Sequence, residues 1–198
     1  MAGAVIAPEF ETWSVPGHSL RIDYSAQVMD ELRIAAVEGY HQVPHGGVET
    51  GGVLFGTHSG NVVRITAWRP ISCGYSKGPS FVLTDEDQAA LEKALKTWRA
   101  HPDLSGLEPV GWCHAHTRSE IFLSEADLAL FDRFFPKNWQ VALVLRPASF
   151  APTRAGFFFR EQDGIVHAEA SYHEFALAPA RGRQIASDPL EPEPAAAV

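Results

Sequence analysis

The residues with the clearest capacity for chemistry are two histidines and an aspartate that lie close together in the chain. His114 and His116 are separated by one residue, and Asp127 follows in the same stretch, W-C-H-A-H-T-R-S-E-I-F-L-S-E-A-D. Imidazole nitrogens and carboxylate oxygens both bind zinc, and three protein ligands leave a fourth position open for water, as in catalytic rather than structural sites. The stretch therefore predicts a metal site with room for a reaction.

A short strand is expected to carry the two histidines. Residues 108–112 have buried character, and side chains alternate between the two faces of a strand. His114 and His116 then point the same way, about 6 to 7 Å apart along the strand at ~3.3 Å per residue. Cys113 points to the opposite face, which makes it a poor candidate ligand.

The aspartate is expected in the first turn of the next helix. Ser124 has the properties of an N-cap, Asp127 occupies the capping-box position, and Leu123 and Leu128 are placed to form a hydrophobic staple. Such a tetrad is typical of any amphipathic helix and alone indicates only a helix start. The short connection from the histidine strand favours a further role, because it brings Asp127 back towards both imidazoles.

These motifs resemble those of a known family. The pattern H-A-H-x7-S-x-x-D, with V-E-T-G-G-V-L-F-G upstream, is similar to the motif of the JAMM, or MPN-plus, metalloproteases, and the resemblance spans roughly residues 24–160. Ala115 stands where the family usually has a small hydroxyl residue, and Thr117 where proline is often found. The resemblance implies one zinc ion per chain with these roles: His114, His116 and Asp127 as ligands, Glu49 as the general acid/base, and Ser124 as the group that steadies the oxyanion.

Composition limits the classes of protein that the chain can belong to. The 198 residues are 45% hydrophobic, which suits one globular domain, and 16 Lys and Arg against 24 Asp and Glu give a formal charge of −8. No cluster of basic residues is present, so nucleic acid is not an expected partner. Two cysteines form no disulfide framework, and neither a secretion signal nor an apolar run of bilayer length is evident. We expect a soluble, cytoplasmic protein that binds no membrane.

The order of predicted elements favours an α/β domain with a central mixed sheet. The family resemblance further implies a single three-layer α/β/α domain with a largely antiparallel sheet, similar to the cytidine deaminases, whose own H-x-E and P-C-x-x-C signature is absent. We expect an N-terminal extension with a possible edge strand at 1–17, the domain at 18–177, and a disordered tail rich in proline, alanine and acids at 178–198.

The individual elements follow from local patterns. Apolar periodicity predicts three helices, the first after Ser25, the second from Thr84 to His101 and the third ending before Pro136. The loop at 69–83, rich in Gly, Ser and Pro, is a candidate for substrate contacts. The remaining segments are predicted as strands: 10–15, 20–24, 50–56 paired with 62–68, 139–145, and a hairpin of 153–161 with 165–170 around Asp163-Gly164.

The resemblance implies an isopeptidase or peptidase that cleaves after the C-terminal Gly-Gly of a ubiquitin-like or sulfur-carrier protein, and the compact loops favour a prokaryotic-type member. Two alternatives remain open. The ligand set also suits a non-haem iron(II) oxygenase, although that class does not account for Glu49. A non-catalytic scaffold with the same fold is the other, although such proteins generally lack the ligands. The remaining histidines show no ligand spacing, and a structural zinc site would normally have four protein ligands.

Overall fold

A single curled sheet of eight strands forms the centre of the protein. The computed structural model describes residues 9–42, 47–73, 81–148 and 152–177. The strands lie in the order β1-β2-β4-β3-β5-β6-β7-β8, with β2/β4 and β5/β6 parallel and the other five pairs antiparallel. The expected mixed α/β class is therefore confirmed. The strand bounds are β1 Phe10–Ser14, β2 Arg21–Ser25, β3 Gly51–Ser59, β4 Val62–Pro70, β5 Glu108–Ala115, β6 Val141–Arg146, β7 Arg154–Phe159 and β8 Glu174–Ala176.

Apolar side chains cover both faces of the sheet. Along β6, Leu143 belongs to one buried cluster and Val144 to the other, as alternation along a strand requires. A strand that is buried on both faces has a nearly continuous apolar sequence, which accounts for V-A-L-V-L at 141–145.

Three α-helices pack on these clusters. They are α1 (Ala26–His41), α2 (Asp85–Trp98) and α3 (Glu125–Phe134). Leu32 of α1 lies in the same cluster as Leu143, whereas α2 and α3 contribute to the cluster that contains Val144. A 3-10 turn, Pro102–Leu104, precedes β5. In the described part of the chain, no helix is both long enough and apolar enough to cross a bilayer.

Helix starts follow the predicted signals with one difference. Thr84 and Ser124 both form complete capping boxes, with Asp87 and Asp127 respectively. Ser25 occupies the N-cap position of α1, but its side chain makes no capping hydrogen bond. The sequence therefore predicted where α1 begins, but the capping hydrogen bond expected of Ser25 is absent from the described structure.

The hairpin expected from residues 153–161 and 165–170 is wrong in its second strand. The turn at Gly164 is present, with φ of 83°, but beyond a single bridge between Arg160 and Val166 the chain leaves the sheet. The carbonyl of Ala168 instead accepts the backbone N–H of Leu123 at 2.8 Å. The strand that pairs with β7 is β8, eight residues further along.

The N-terminal segment contributes strand β1, which pairs with β2 at one edge of the sheet. Its Trp13 is buried in the apolar cluster that contains Leu32 of α1 and Leu143, called here the α1-side cluster. Two other expectations fall partly or wholly on residues outside the described ranges. The tail at 178–198 lies outside them, and so does the middle of the 69–83 loop, at 74–80.

Candidate metal centre

The predicted ligands come from two neighbouring elements. His114 is the penultimate residue of β5, and His116 follows the strand directly, with its N–H donated to the Leu145 carbonyl of β6 at 2.8 Å. This bond keeps the backbone extended through His116, so both imidazoles project from one face. Both are buried, with 1% and 5% of their surface exposed.

The first turn of α3 brings Asp127 to the two imidazoles. Its Oδ1 atom lies 3.5 Å from Nε2 of His114, and the two Nε2 atoms of His114 and His116 lie 2.9 Å apart. Asp127 is 5% exposed. One ligand atom from each of the three residues falls within 4.8 Å of the others, so this buried group could hold a metal ion.

The spacing of the three groups fits a small divalent ion. Zinc–nitrogen bonds of about 2.0 to 2.1 Å at a tetrahedral angle place two ligand atoms about 3.3 Å apart. The observed separations are 2.9 Å between the two imidazole nitrogens, 3.5 Å from His114 to Oδ1 of Asp127 and 3.9 Å from His116 to Oδ2, and they lie on either side of that value. Two imidazole nitrogens at 2.9 Å can share one proton as an N–H···N hydrogen bond, and an ion between them would instead bind the lone pairs of both.

The carboxylate of Asp127 takes part in both the helix cap and the candidate metal site. Oδ2 accepts the backbone N–H of Ser124 at 2.8 Å and the Ser124 hydroxyl at 2.7 Å. Oδ1 lies 3.5 Å from Nε2 of His114, and Oδ2 also lies 3.9 Å from Nε2 of His116. Capping therefore uses Oδ2 alone and leaves Oδ1 to face His114. The Ser124 hydroxyl proton, expected from sequence to be available for an oxyanion, is here directed at Asp127, so that role requires the hydroxyl to rotate.

Burial and charge act in opposite directions on the pKa values of the site. Burial alone would raise the pKa of Asp127, but the adjacent imidazoles and the Ser124 hydrogen bond outweigh it and hold the pKa below its ordinary value. Burial alone would lower the pKa of His116, but Asp127 and the Glu120 carbonyl outweigh it and leave the pKa raised. The site therefore favours an ionised carboxylate next to the imidazoles.

The two imidazoles are held in different ways. Nδ1 of His116 lies 2.7 Å from the Glu120 carbonyl, which directs Nε2 at the site, the usual outer support of a ligand histidine. Nδ1 of His114 is buried and has no hydrogen-bond partner in the described ranges. The His114 ring instead stacks on Trp112, with centroids 4.5 Å apart and planes 8° apart, and Phe81 lies parallel at 6.1 Å.

Glu49 lies beside the same site, where it accepts the N–H of the residue that follows His116. Strands β3 and β5 pair Gly51 with His114, and the Ala115 N–H donates to the Thr50 carbonyl at 2.8 Å, so one further step in this register sets Glu49 opposite His116. Its negative charge contributes to the raised pKa of His116. The carboxylate oxygens of Glu49 accept backbone N–H groups at 2.8 Å and 3.3 Å, the donors being Phe81 and Thr117.

Cys113 lies on the other face, as expected. It belongs to the α1-side cluster, and its thiol donates to the Gly52 carbonyl at 3.6 Å. Burial raises the pKa of the Cys113 thiol to about 12, so it is not a thiolate ligand near neutral pH.

Four residues around the site were missed from sequence. Strand alternation alone could have placed Trp112 beside His114, since the two lie two residues apart on one strand. The other three contribute through the backbone or across long sequence separations, for which the residue type gives no signal. The missed residues are Phe81, Trp112, Thr117 and Glu120.

Comparisons with known proteins support the fold. No family model matches the chain, and no curated protein matches it. A protein of Desulfitobacterium hafniense, determined in solution, is similar with a TM-score of 0.50 and 19% identity over 75% of this chain and 89% of that one. A protein of Salinibacter ruber has 20% identity and a TM-score of 0.44, covering 75% and 88%. At these identities the first likeness extends to the fold alone, and it agrees with a mixed α/β domain.

Proposed function

We propose that this protein is a zinc-dependent isopeptidase or peptidase of the JAMM type. The observation that carries the proposal is the meeting of four groups where the interior strands β3 and β5 lie side by side: a buried His, His, Asp cluster, and Glu49, which precedes β3 and accepts the N–H of the residue after His116. Each was expected from the sequence motif alone. These residues are spread over positions 49 to 127, so a motif that matched by chance would rarely bring all four together in the fold.

The three-layer α/β/α architecture belongs to the same proposal. It is supported by the packing of α1 on one apolar cluster of the sheet and of α2 and α3 on the other. The site lies where the interior strand β5 ends and α3 begins.

The donor set fits a catalytic zinc site. Two imidazoles and one carboxylate oxygen supply three ligands and leave room for a fourth, whereas closed structural sites have four protein ligands. Bound zinc supplies Lewis acidity, which polarises a carbonyl oxygen and makes water acidic enough to act as a nucleophile near pH 7.

Within this site, Glu49 is assigned the movement of protons. A carboxylate beside the attacking water accepts its proton and delivers it to the departing amine nitrogen, because an amide anion is a very poor leaving group. Its two oxygens are held by backbone N–H groups, which fix its direction. Removing such a general acid/base typically lowers a rate by about 100- to 10,000-fold.

Ser124 is assigned the stabilisation of the developing oxyanion. Its hydroxyl stands at the N-terminus of α3, where the helix dipole favours negative charge. In the resting arrangement that hydroxyl donates to Oδ2 of Asp127 at 2.7 Å. The oxyanion then competes with Asp127 for one proton, while the Ser124 backbone N–H continues to hold the carboxylate.

The substrate class rests on the family resemblance: a bond that follows the C-terminal Gly-Gly of a ubiquitin-like or sulfur-carrier protein. A decisive experiment is incubation of the zinc-loaded protein with fusions of such proteins carrying a peptide after Gly-Gly, followed by mass spectrometry of the products. Cleavage after the second glycine is expected, with Glu49→Gln inactive although it retains zinc. Full activity of that variant would refute the assigned mechanism.

Metal analysis separates this proposal from its rival. The same ligands suit iron(II), so protein purified without added metal should contain zinc and no stoichiometric iron if it is a hydrolase. A scaffold protein would leave every Gly-Gly fusion intact at any zinc loading.

A further inference from the structure

The support of Glu49 comes from the backbone on two sides. Oε2 accepts the N–H of Phe81 at 2.8 Å, and Oε1 accepts the N–H of Thr117 at 3.3 Å. Phe81 precedes α2, whereas Thr117 directly follows the candidate ligand His116. The carboxylate is thus tied both to the segment before α2 and to the loop that carries the ligand.

The side chain of Thr117 is not the group that makes the contact. Its Oγ1 atom is buried and has no hydrogen-bond partner among residues that the structure describes. The contact with Glu49 uses only the main-chain N–H, which every residue type has except proline. Position 117 is also where this chain departs from the proline that the resembled family often has.

Gly51 makes room for Phe81, the other residue whose N–H binds Glu49. A Cβ atom at Gly51 would lie 2.4 Å from Cζ of the Phe81 ring, closer than real Cβ contacts permit. The ring therefore lies directly over the backbone of β3, with its plane within 19° of the His114 imidazole and 26° of Trp112. This placement fixes the Phe81 N–H beside Glu49.

We propose that Thr117 and Phe81 are positioning residues that fix Glu49 between two backbone amides, and that position 117 consequently requires a residue with an N–H group. This inference rests on the proposed function, because it assigns a purpose to the fixed direction of Glu49. A shift of about 1 Å in a catalytic group can lower a rate by about 100-fold, so holding both oxygens has a measurable consequence.

The first test needs neither metal nor substrate. In ¹⁵N-labelled apo protein, Glu49→Ala removes both acceptors, so the amide proton resonances of Thr117 and Phe81 should move upfield together. Glu125→Ala, which removes an exposed carboxylate from the first turn of α3, should leave both resonances in place. If either amide does not respond to Glu49→Ala, or if Glu125→Ala shifts them equally, the clamp is refuted, whatever reaction the protein catalyses.

The second test separates the N–H group from the side chain of position 117. Thr117→Ala keeps the N–H and removes the hydroxyl, whereas Thr117→Pro removes the N–H. We expect Thr117→Pro to lower kcat for a Gly-Gly fusion by about 10- to 100-fold, and Thr117→Ala by less than about 2-fold. Zinc affinity, measured by competition with a chromophoric chelator, should change less than about 3-fold in both. An equal loss in the two variants would overturn the assignment to the backbone amide.

A double-variant cycle excludes a purely structural effect of proline. In a Glu49→Ala background the acceptor that the amide positions is already gone, so adding Thr117→Pro should cause no further loss of the residual rate, which removal of a general acid/base leaves about 100- to 10,000-fold below that of the unmodified protein. A full multiplicative loss would mean that proline acts independently of Glu49 and would overturn the proposal. If Thr117→Pro does not fold, the resonance test of Glu49→Ala decides the question alone.

Discussion

The coupling between the metal site and the stability of the fold gives the most quantitative prediction. In the proposed zinc site Asp127 supplies one ligand oxygen, and it also completes the capping box of α3. A ligand that binds only the folded state adds about 2.7 kcal/mol of stability at 100 times its Kd. For a domain of this size each kcal/mol raises Tm by about 2 to 4 °C, so zinc should raise it by about 5 to 11 °C.

Asp127→Asn should remove most of that increase. The variant keeps an oxygen that can accept the Ser124 N–H, so the weakened helix cap should lower the stability of the apo protein by only about 1 kcal/mol. Asp127→Asn also removes the negative charge from the ligand set. Loss of a residue that only supports a metal ligand weakens metal binding by about 10- to 100-fold, so for a ligand itself we expect zinc to bind at least about 100-fold more weakly. At the same zinc concentration the stabilisation then falls to about 0.4 kcal/mol, or about 1 to 2 °C.

The assay is thermal unfolding followed by circular dichroism with buffered free zinc. Glu125→Gln is the matched control, because it removes an exposed negative charge from the same helical turn and supplies no ligand. Its zinc response should equal that of the unmodified protein. If Asp127→Asn retains the full increase, or if Glu125→Gln loses as much, the carboxylate of Asp127 is not a ligand.

Three further outcomes follow from the structure. Gly51→Ala should destabilise the fold by about 1 to 3 kcal/mol in urea unfolding, because its Cβ would meet the Phe81 ring at 2.4 Å; an unchanged midpoint would refute the close approach. Burial would raise the pKa of Asp23, but hydrogen bonds, led by that of Thr12, leave it lowered. The ionised Asp23 therefore stabilises the fold above the unfolded pKa near 3.9, and this contribution is lost as pH falls through the folded pKa. Asp23→Asn should make the free energy of unfolding depend less on pH at the acid end, which urea titrations from pH 2 to 7 would measure. Cys113→Ala should leave zinc affinity unchanged, and weaker binding by competition with a chelator would contradict its placement on the opposite face.

The ligand cluster was accessible from sequence because its geometry is local. Alternation along one strand put His114 and His116 on the same face, and a capping box located the start of α3 with Asp127 in its first turn. Both rules depend only on neighbouring residues. Glu49 became a candidate through the motif resemblance and not through any local pattern, since a glutamate before a strand is ordinarily a surface charge.

The features that were missed depend on contacts between distant segments. The strand expected at 165–170 has suitable residues, but Ala168 is bonded to Leu123, and the place beside β7 belongs to Glu174–Ala176. The amides of Phe81 and Thr117 hold Glu49 through groups that nearly every residue possesses, so no residue type marks them. Strand order follows from the same long-range pairing, which one sequence does not encode in local periodicity.

The most direct measurement is the metal content of protein purified without added metal, by mass spectrometry of the elements, for the unmodified chain and for His114→Ala/His116→Ala. One zinc per chain, lost in the double variant while its circular dichroism shows a folded protein, is the predicted result. Stoichiometric iron in place of zinc, no metal at all after zinc is supplied, or zinc retained by the double variant would contradict a zinc centre built from these two imidazoles and Asp127.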